Sequence, residues 1–167
     1  MKKFAPFITI IIIISIIVVL FLSMSTSQNM TVVYVGNTDK KPITIVLNKF
    51  QDSDCGMVID DITYASQVIA PDGKTWFFHD HGGMVHWLEN KEFKDDAIIW
   101  VMTKDTKRYV NGKKAWYSRT DDTPMFYGFG AYEKKTDGLI NFKTMFLHMV
   151  RGEHLANPLI KKQLLGK

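Results

Sequence analysis

The stretch FFHDHGGMVHWL, Phe77 to Leu88, sets three imidazoles, His79, His81 and His86, beside the thioether of Met84. Upstream, DSDCGMVID carries Cys55, the only cysteine of the chain, two residues before Met57. Thiolate, thioether and imidazole are soft-metal donors: Cu(I) favours Cys and Met with imidazole as a third partner, whereas Zn(II) makes little use of methionine. A zinc hydrolase fits poorly, because no His-Glu-x-x-His run accompanies His79 and His81 and a barrel hydrolase needs about 250 residues. Met125 follows Pro124 in DDTPMFYGFG, where the proline fixes the backbone and gives the side chain a defined direction. The candidate metal ligands are Cys55, Met57, Met84, Met125, His81 and His86, with the role of His79 open; the bland alternative is exposed turn histidines, with Met84 and Met125 in the core and Cys55 and Met57 as core residues on a strand.

Other donors have simpler explanations. Met145 and Met149 fall with Phe142 and Phe146 on the i, i+3, i+4, i+7 stripe of an amphipathic helix in INFKTMFLHMVRGEHL, so they read as packing, and His148 and His154 are expected to be neutral for metal binding. The pairs Asp60/Asp61, Asp95/Asp96 and Asp121/Asp122 flank strands and turns, and no nucleophile accompanies them to make an enzyme.

The amino end bears on what Cys55 can do. Phe4 to Leu22 carries no charge, and a helix of that length covers about 28 Å, close to the hydrocarbon thickness of a bilayer. Lys2 and Lys3 precede it and no basic residue follows for many positions, which predicts a single-pass inner-membrane anchor over residues 1–25 with the carboxyl-terminal domain in the periplasm. A cleaved signal peptide is the competing reading, with SMS as the small-residue site. In an oxidising compartment a lone cysteine makes no internal disulfide, leaving an inert buried thiol, an intermolecular bridge or a metal-binding thiolate.

The elements that must position these residues read as α+β. TVVYVG and PITIVLN predict paired strands, and ITYASQVIA and TWFFH predict a hairpin closed by APDGKT. A helix begins near Gly83, and AIIWVMT, KKAWYSR and PMFYGFGAYE follow as strands before the late helix. Residues 26–51 form a linker with leading strands, and a strand starting at Cys55 would put Cys55 and Met57 on one face. With 46% hydrophobic residues the chain can bury a core. Its net charge of +4 lies partly in short lysine clusters and a basic tail, NPLIKKQLLGK, not in a basic face with interleaved aromatics, which speaks against nucleic-acid binding.

In order along the chain, CGMVIDDITYASQVI, GKTWFFHDHGGMVHWL, AIIWVMTKD, KKAWYSRTDDTPMFYGFGAYE and RGEHLANPLIKKQLLG resemble the NosL family, copper accessory proteins of nitrous-oxide reductase maturation. The resemblance runs from about Asp52 to the end, and its specific parts are the Cys-Gly-Met element and the TPM stretch. It implies a periplasmic Cu(I) chaperone for nitrous-oxide reductase or its copper-assembly machinery, in a domain over 52–167 of two similar strand-strand-helix-strand units. By motif match it assigns Cys55 and Met57 to copper, and Met84 and Met125 less specifically. The chain departs from the family in lacking a lipidation cysteine and in replacing an acidic FDD-like run by Phe78, His79, Asp80 and His81. A dimer bridged by copper is compatible with one thiolate per chain. The alternative is a membrane-tethered structural or interaction protein whose sulfur residues only pack.

Overall fold

Alternating burial is clearest at Phe77 and Phe78, adjacent residues that enter two different hydrophobic clusters, as the two-residue period of a strand requires. The computed structural model describes residues 5–25 and 30–166. The chain divides into two units, Met1–Met30 and Thr31–Lys167. The first contains helix α1, Ala5–Ser25.

The second unit is α+β. Its larger sheet is antiparallel throughout, in the order β1-β3-β2-β4-β5, built from β1 (Val33–Tyr34), β2 (Ser66–Ile69), β3 (Thr75–Phe78), β4 (Ile98–Met102) and β5 (Tyr109–Asn111). The β2–β3 hairpin turns through Pro71–Lys74, with Gly73 at φ 86° and Val68 facing Trp76 across the ladder. A smaller antiparallel sheet has the order β7-β6-β8, from β6 (Trp116–Tyr117), β7 (Ala131–Tyr132) and β8 (Ile140–Asn141). Helices α2 (His81–Leu88), α3 (Phe142–Val150) and α4 (Pro158–Leu165) complete the unit.

One face of the larger sheet contributes Val68, Phe78, Ile99 and Val101 to a core with Met84, Val85 and Leu88 of α2, Met145 and Met149 of α3, and Tyr117 and Phe129. The other face buries Phe77 and Met102 against Ile45, Phe50 and Ile59. Gln67 clamps that second layer: its side chain accepts from the Ile43 N–H at 2.8 Å and donates to the Ile43 carbonyl at 2.7 Å.

These findings correct three expectations. No helix among the described residues is long and apolar enough to cross a membrane. The transmembrane anchor, and the single-pass inner-membrane location with a periplasmic domain drawn from it, are corrected accordingly. The fold is likewise not two similar strand-strand-helix-strand units. β2, β3, α2 and β4 follow that order, but β6, β7, β8 and α3 put three strands before the helix. The reason lies in Ser118–Gly130, where a turn closed by Phe126 N–H to Thr123 O and positive φ at Phe126 (56°) and Gly128 (89°) leave little extended backbone. Finally, PITIVLN forms no strand, because Gln67 takes the Ile43 backbone groups and Asn48 turns at φ 62°.

Candidate metal centre

The loop holding Cys55 is shaped by the aspartate three residues before it. Gln51 and Val58 form an isolated antiparallel bridge, and between them Asp52 N–H donates to the Met57 carbonyl at 2.8 Å. Oδ1 of Asp52 accepts from the N–H groups of Asp54 (2.7 Å) and Cys55 (3.1 Å), the self-bonding turn that an Asp side chain offers. Gly56, at φ 76°, supplies the left-handed residue that brings the chain back. Cys55 therefore sits in a tight turn and not on a strand, and it is half-buried.

Strand β3 brings the second donor. Ser53 N–H donates to the Phe77 carbonyl at 2.8 Å, which pins the loop alongside β3 and places His79, just past the strand end, over Asp52. The other carboxylate oxygen, Oδ2, accepts from the His79 backbone N–H at 2.8 Å and from its ring Nδ1–H at 2.5 Å. Cys55 Sγ lies 3.8 Å from the same Nδ1. One donor atom from each of Asp52, Cys55 and His79 thus lies within 4.8 Å of the others, a group that can hold a metal ion.

Electrostatics follow from this packing. Burial alone would raise the Asp52 pKa, but the hydrogen bonds from the His79 side chain and from the His79, Cys55 and Asp54 backbones outweigh it and lower the pKa below the usual carboxylate value. Burial alone would lower that of His79, but the bond to Asp52 and its charge raise it. Cys55 is shifted up, by burial first and then by the neighbouring charges of Asp52 and Asp54, with only partial relief from the Met57 N–H. Its thiol is no activated nucleophile, for which a depressed pKa is needed.

No protein-family model and no curated protein matches this chain.

The residues singled out in the sequence go to different places. Met57, 45% exposed, stays on the Cys55 loop, two residues from the thiol. Met84 is fully buried in the core with Val85 and Leu88. His81, also fully buried, opens α2 with Nδ1 at 2.6 Å from Ser66 Oγ, between the rings of Tyr64 and Tyr117. His86 is exposed and donates from Nδ1 to Asp54 Oδ1 at 2.8 Å. Met125 is half-buried, its N–H donating to Oδ2 of Asp80, whose Oδ1 caps α2 through the Gly82 N–H.

Two small residues in α2 let the loops approach. A Cβ on Gly82 would fall 2.5–2.6 Å from the Tyr127 side chain, and one on Gly83 would fall 3.3 Å from Asp54 Oδ2. Tyr127 stacks edge-on against His154, ring centroids 4.8 Å apart, and the His154 pKa is lowered by burial first and then by repulsion from His86. His154 lies beyond the end of α3, not within it.

Asp52 and His79 were absent from the ligand set drawn from the sequence. The available signal was Asp-x-x-Cys, an Asp placed to bond the backbone two and three residues on; that this carboxylate also reaches His79, 27 residues away, is a product of the pairing of Ser53 with Phe77.

Proposed function

We propose that this protein binds Cu(I) through Cys55 and His79 and serves as a NosL-type metallochaperone, with nitrous-oxide reductase or its copper-assembly machinery as the recipient. The observation that carries the reading is the convergence of the Cys55 thiol and the His79 imidazole, with the exposed Met57 two residues along the same loop. A metal with bonds of about 2.3 Å to sulfur and about 2.0 Å to nitrogen at about 120° separates the two donors by about 3.8 Å, which is the distance found. Cu(I) is soft and gains little from a carboxylate. Asp52 holds the Nδ1–H of His79 in the metal-free protein; loading exchanges that hydrogen bond for the metal, while the His79 backbone N–H stays bonded to the same carboxylate.

Loading requires the Cys55 proton and the Nδ1 proton of His79 to leave, since both atoms are ligands only when deprotonated. Release proceeds by ligand exchange: Met57, on the solvent side of the loop, is the arm an incoming donor replaces first, followed by the imidazole and the thiolate. No bond within a substrate is made or broken, and the copper is cargo. A protein whose sulfur residues only pack would bury them as Met84 is buried, whereas Cys55 is half-buried and Met57 is exposed.

A second reading is favoured by the carboxylate itself. If Asp52 moves from its hydrogen bond into the coordination shell, the Asp/Cys/His set suits a borderline ion such as Zn(II). Anaerobic titration of the reduced protein against a chromophoric Cu(I) chelator, repeated with Zn(II), separates the two. One Cu(I) per chain, or one per two chains sharing an ion through two thiolates, is expected at an affinity Zn(II) does not match. Tight binding of three or more Cu(I) per chain would overturn the chaperone reading, and preference for Zn(II) would establish the second.

A further inference from the structure

Beside the Cys55 loop, a different face gathers donors that the copper reading does not use. His86 and Glu89 stand at i, i+3 at the carboxyl end of α2 and so share one side of the helix. The loop between α3 and α4 turns at Gly152, φ 70°, and returns His154 against Tyr127. His86, Glu89 and His154 line one open cavity of about 390 Å³ together with Met149.

Two details point to a cation there. Asp54 holds the Nδ1–H of His86 at 2.8 Å, which fixes the tautomer and leaves the Nε2 lone pair free, the arrangement by which a carboxylate orients a metal-binding imidazole. His154 Nδ1 is buried with no hydrogen-bond partner among the described residues, so internal polar contacts do not account for how this ring is placed.

We propose that His86, Glu89 and His154 form a second metal site, a two-histidine, one-carboxylate set that takes a borderline divalent cation such as Zn(II). Unlike the Asp52–Cys55–His79 group, these donors do not already lie within 4.8 Å of one another. The cation draws the exposed His86 and half-buried Glu89 side chains towards His154 and ties the end of α2 to the α3–α4 loop. The inference goes beyond the copper reading and does not depend on it.

The test uses the full chain carrying Cys55→Ser, which removes the only thiolate, titrated with Zn(II) against a chromophoric chelator and followed by thermal unfolding. One Zn(II) per chain and a rise in Tm with Zn(II) concentration are expected, because an ion that binds only the folded state stabilises it. His86→Gln and His154→Gln, each added to that background, are expected to weaken Zn(II) binding at least tenfold while the circular dichroism spectrum is unchanged. Absence of Zn(II) binding, or an affinity that survives either histidine substitution in a folded variant, would overturn the second site while leaving the Cu(I) result at Cys55 untouched.

Discussion

Cys55→Ser is expected to weaken Cu(I) binding well beyond the roughly 10- to 100-fold that loss of an outer-shell partner costs, and more than any other single substitution in the chain. The thiolate is the only anionic sulfur available, and a soft ion loses most when that donor becomes a hydroxyl. His79→Gln is expected to follow, since it removes the nitrogen that stands 3.8 Å from the sulfur. Asp52→Asn leaves both donors in place and removes the carboxylate that holds the Nδ1 proton in the metal-free protein, so its effect is expected to be smaller than that of losing either donor. Met57→Ala is expected to speed release of the ion more than it lowers affinity, because the thioether is the exposed, replaceable arm. Competition against a Cu(I) chelator with single variants reads this order. Met84→Leu, a core exchange of similar volume, is expected to leave it unchanged.

How much of this was legible in the sequence depended on whether the signal was local. Cys55 and Met57 stand out because two sulfur donors two residues apart in a Gly-containing turn are a local pattern. The β2–β3 hairpin was legible for the same reason: Pro71, Asp72 and Gly73 encode the turn. The helix expected near Gly83 starts two residues earlier, at His81, because Asp80 caps it. Met84 was harder, since the periodicity that marks α2 also buries that thioether, and periodicity cannot say which role a sulfur takes. His79 was undecided because its partner is Asp52, across the loop and strand pairing, where sequence spacing gives no register. β-branched enrichment misled at PITIVLN, where tertiary hydrogen bonds from Gln67 displaced a ladder. The basic tail hid α4, although Asn157 at its cap, Pro158 at its first turn and Gly166 at its end are the usual boundary signals.

Buried His81 carries the second large effect. Desolvation in the core lowers its pKa to about 3, with the Met102 backbone and the Asp121 charge offsetting only part. The unfolded chain takes up the proton near pH 6.5 while the folded chain refuses it. Stability from this residue is therefore complete above pH 6.5 and lost as pH falls towards 3, at about 1.4 kcal/mol per pH unit once well below 6.5. The raised pKa of His79 works in the other direction: its contribution is complete below pH 6.5 and is lost as pH rises through its folded value. The lowered pKa of Asp52 gives stability present above pH 3.8 and lost on further acidification. Between pH 6 and 4 the His81 loss is joined by that of His154, whose pKa is also lowered, and opposed by the buried Asp80 carboxyl, whose raised pKa favours the folded state as pH falls. Denaturant unfolding across that range is expected to show a steeper loss in the parent chain than in His81→Gln, whatever the level of stability at neutral pH. Equal slopes would remove His81 as a source of acid sensitivity.

The central claim is that Cu(I) sits between Cys55 Sγ and His79 Nδ1, and X-ray absorption at the copper edge of the fully reduced, singly loaded full chain addresses it most directly. The account expects a low-coordinate Cu(I) site with both sulfur and imidazole scattering in the first shell, the imidazole component disappearing in His79→Gln and the thiolate component in Cys55→Ser. A first shell of nitrogen and oxygen alone, or a spectrum that is the same in the parent chain and in Cys55→Ser, would contradict it.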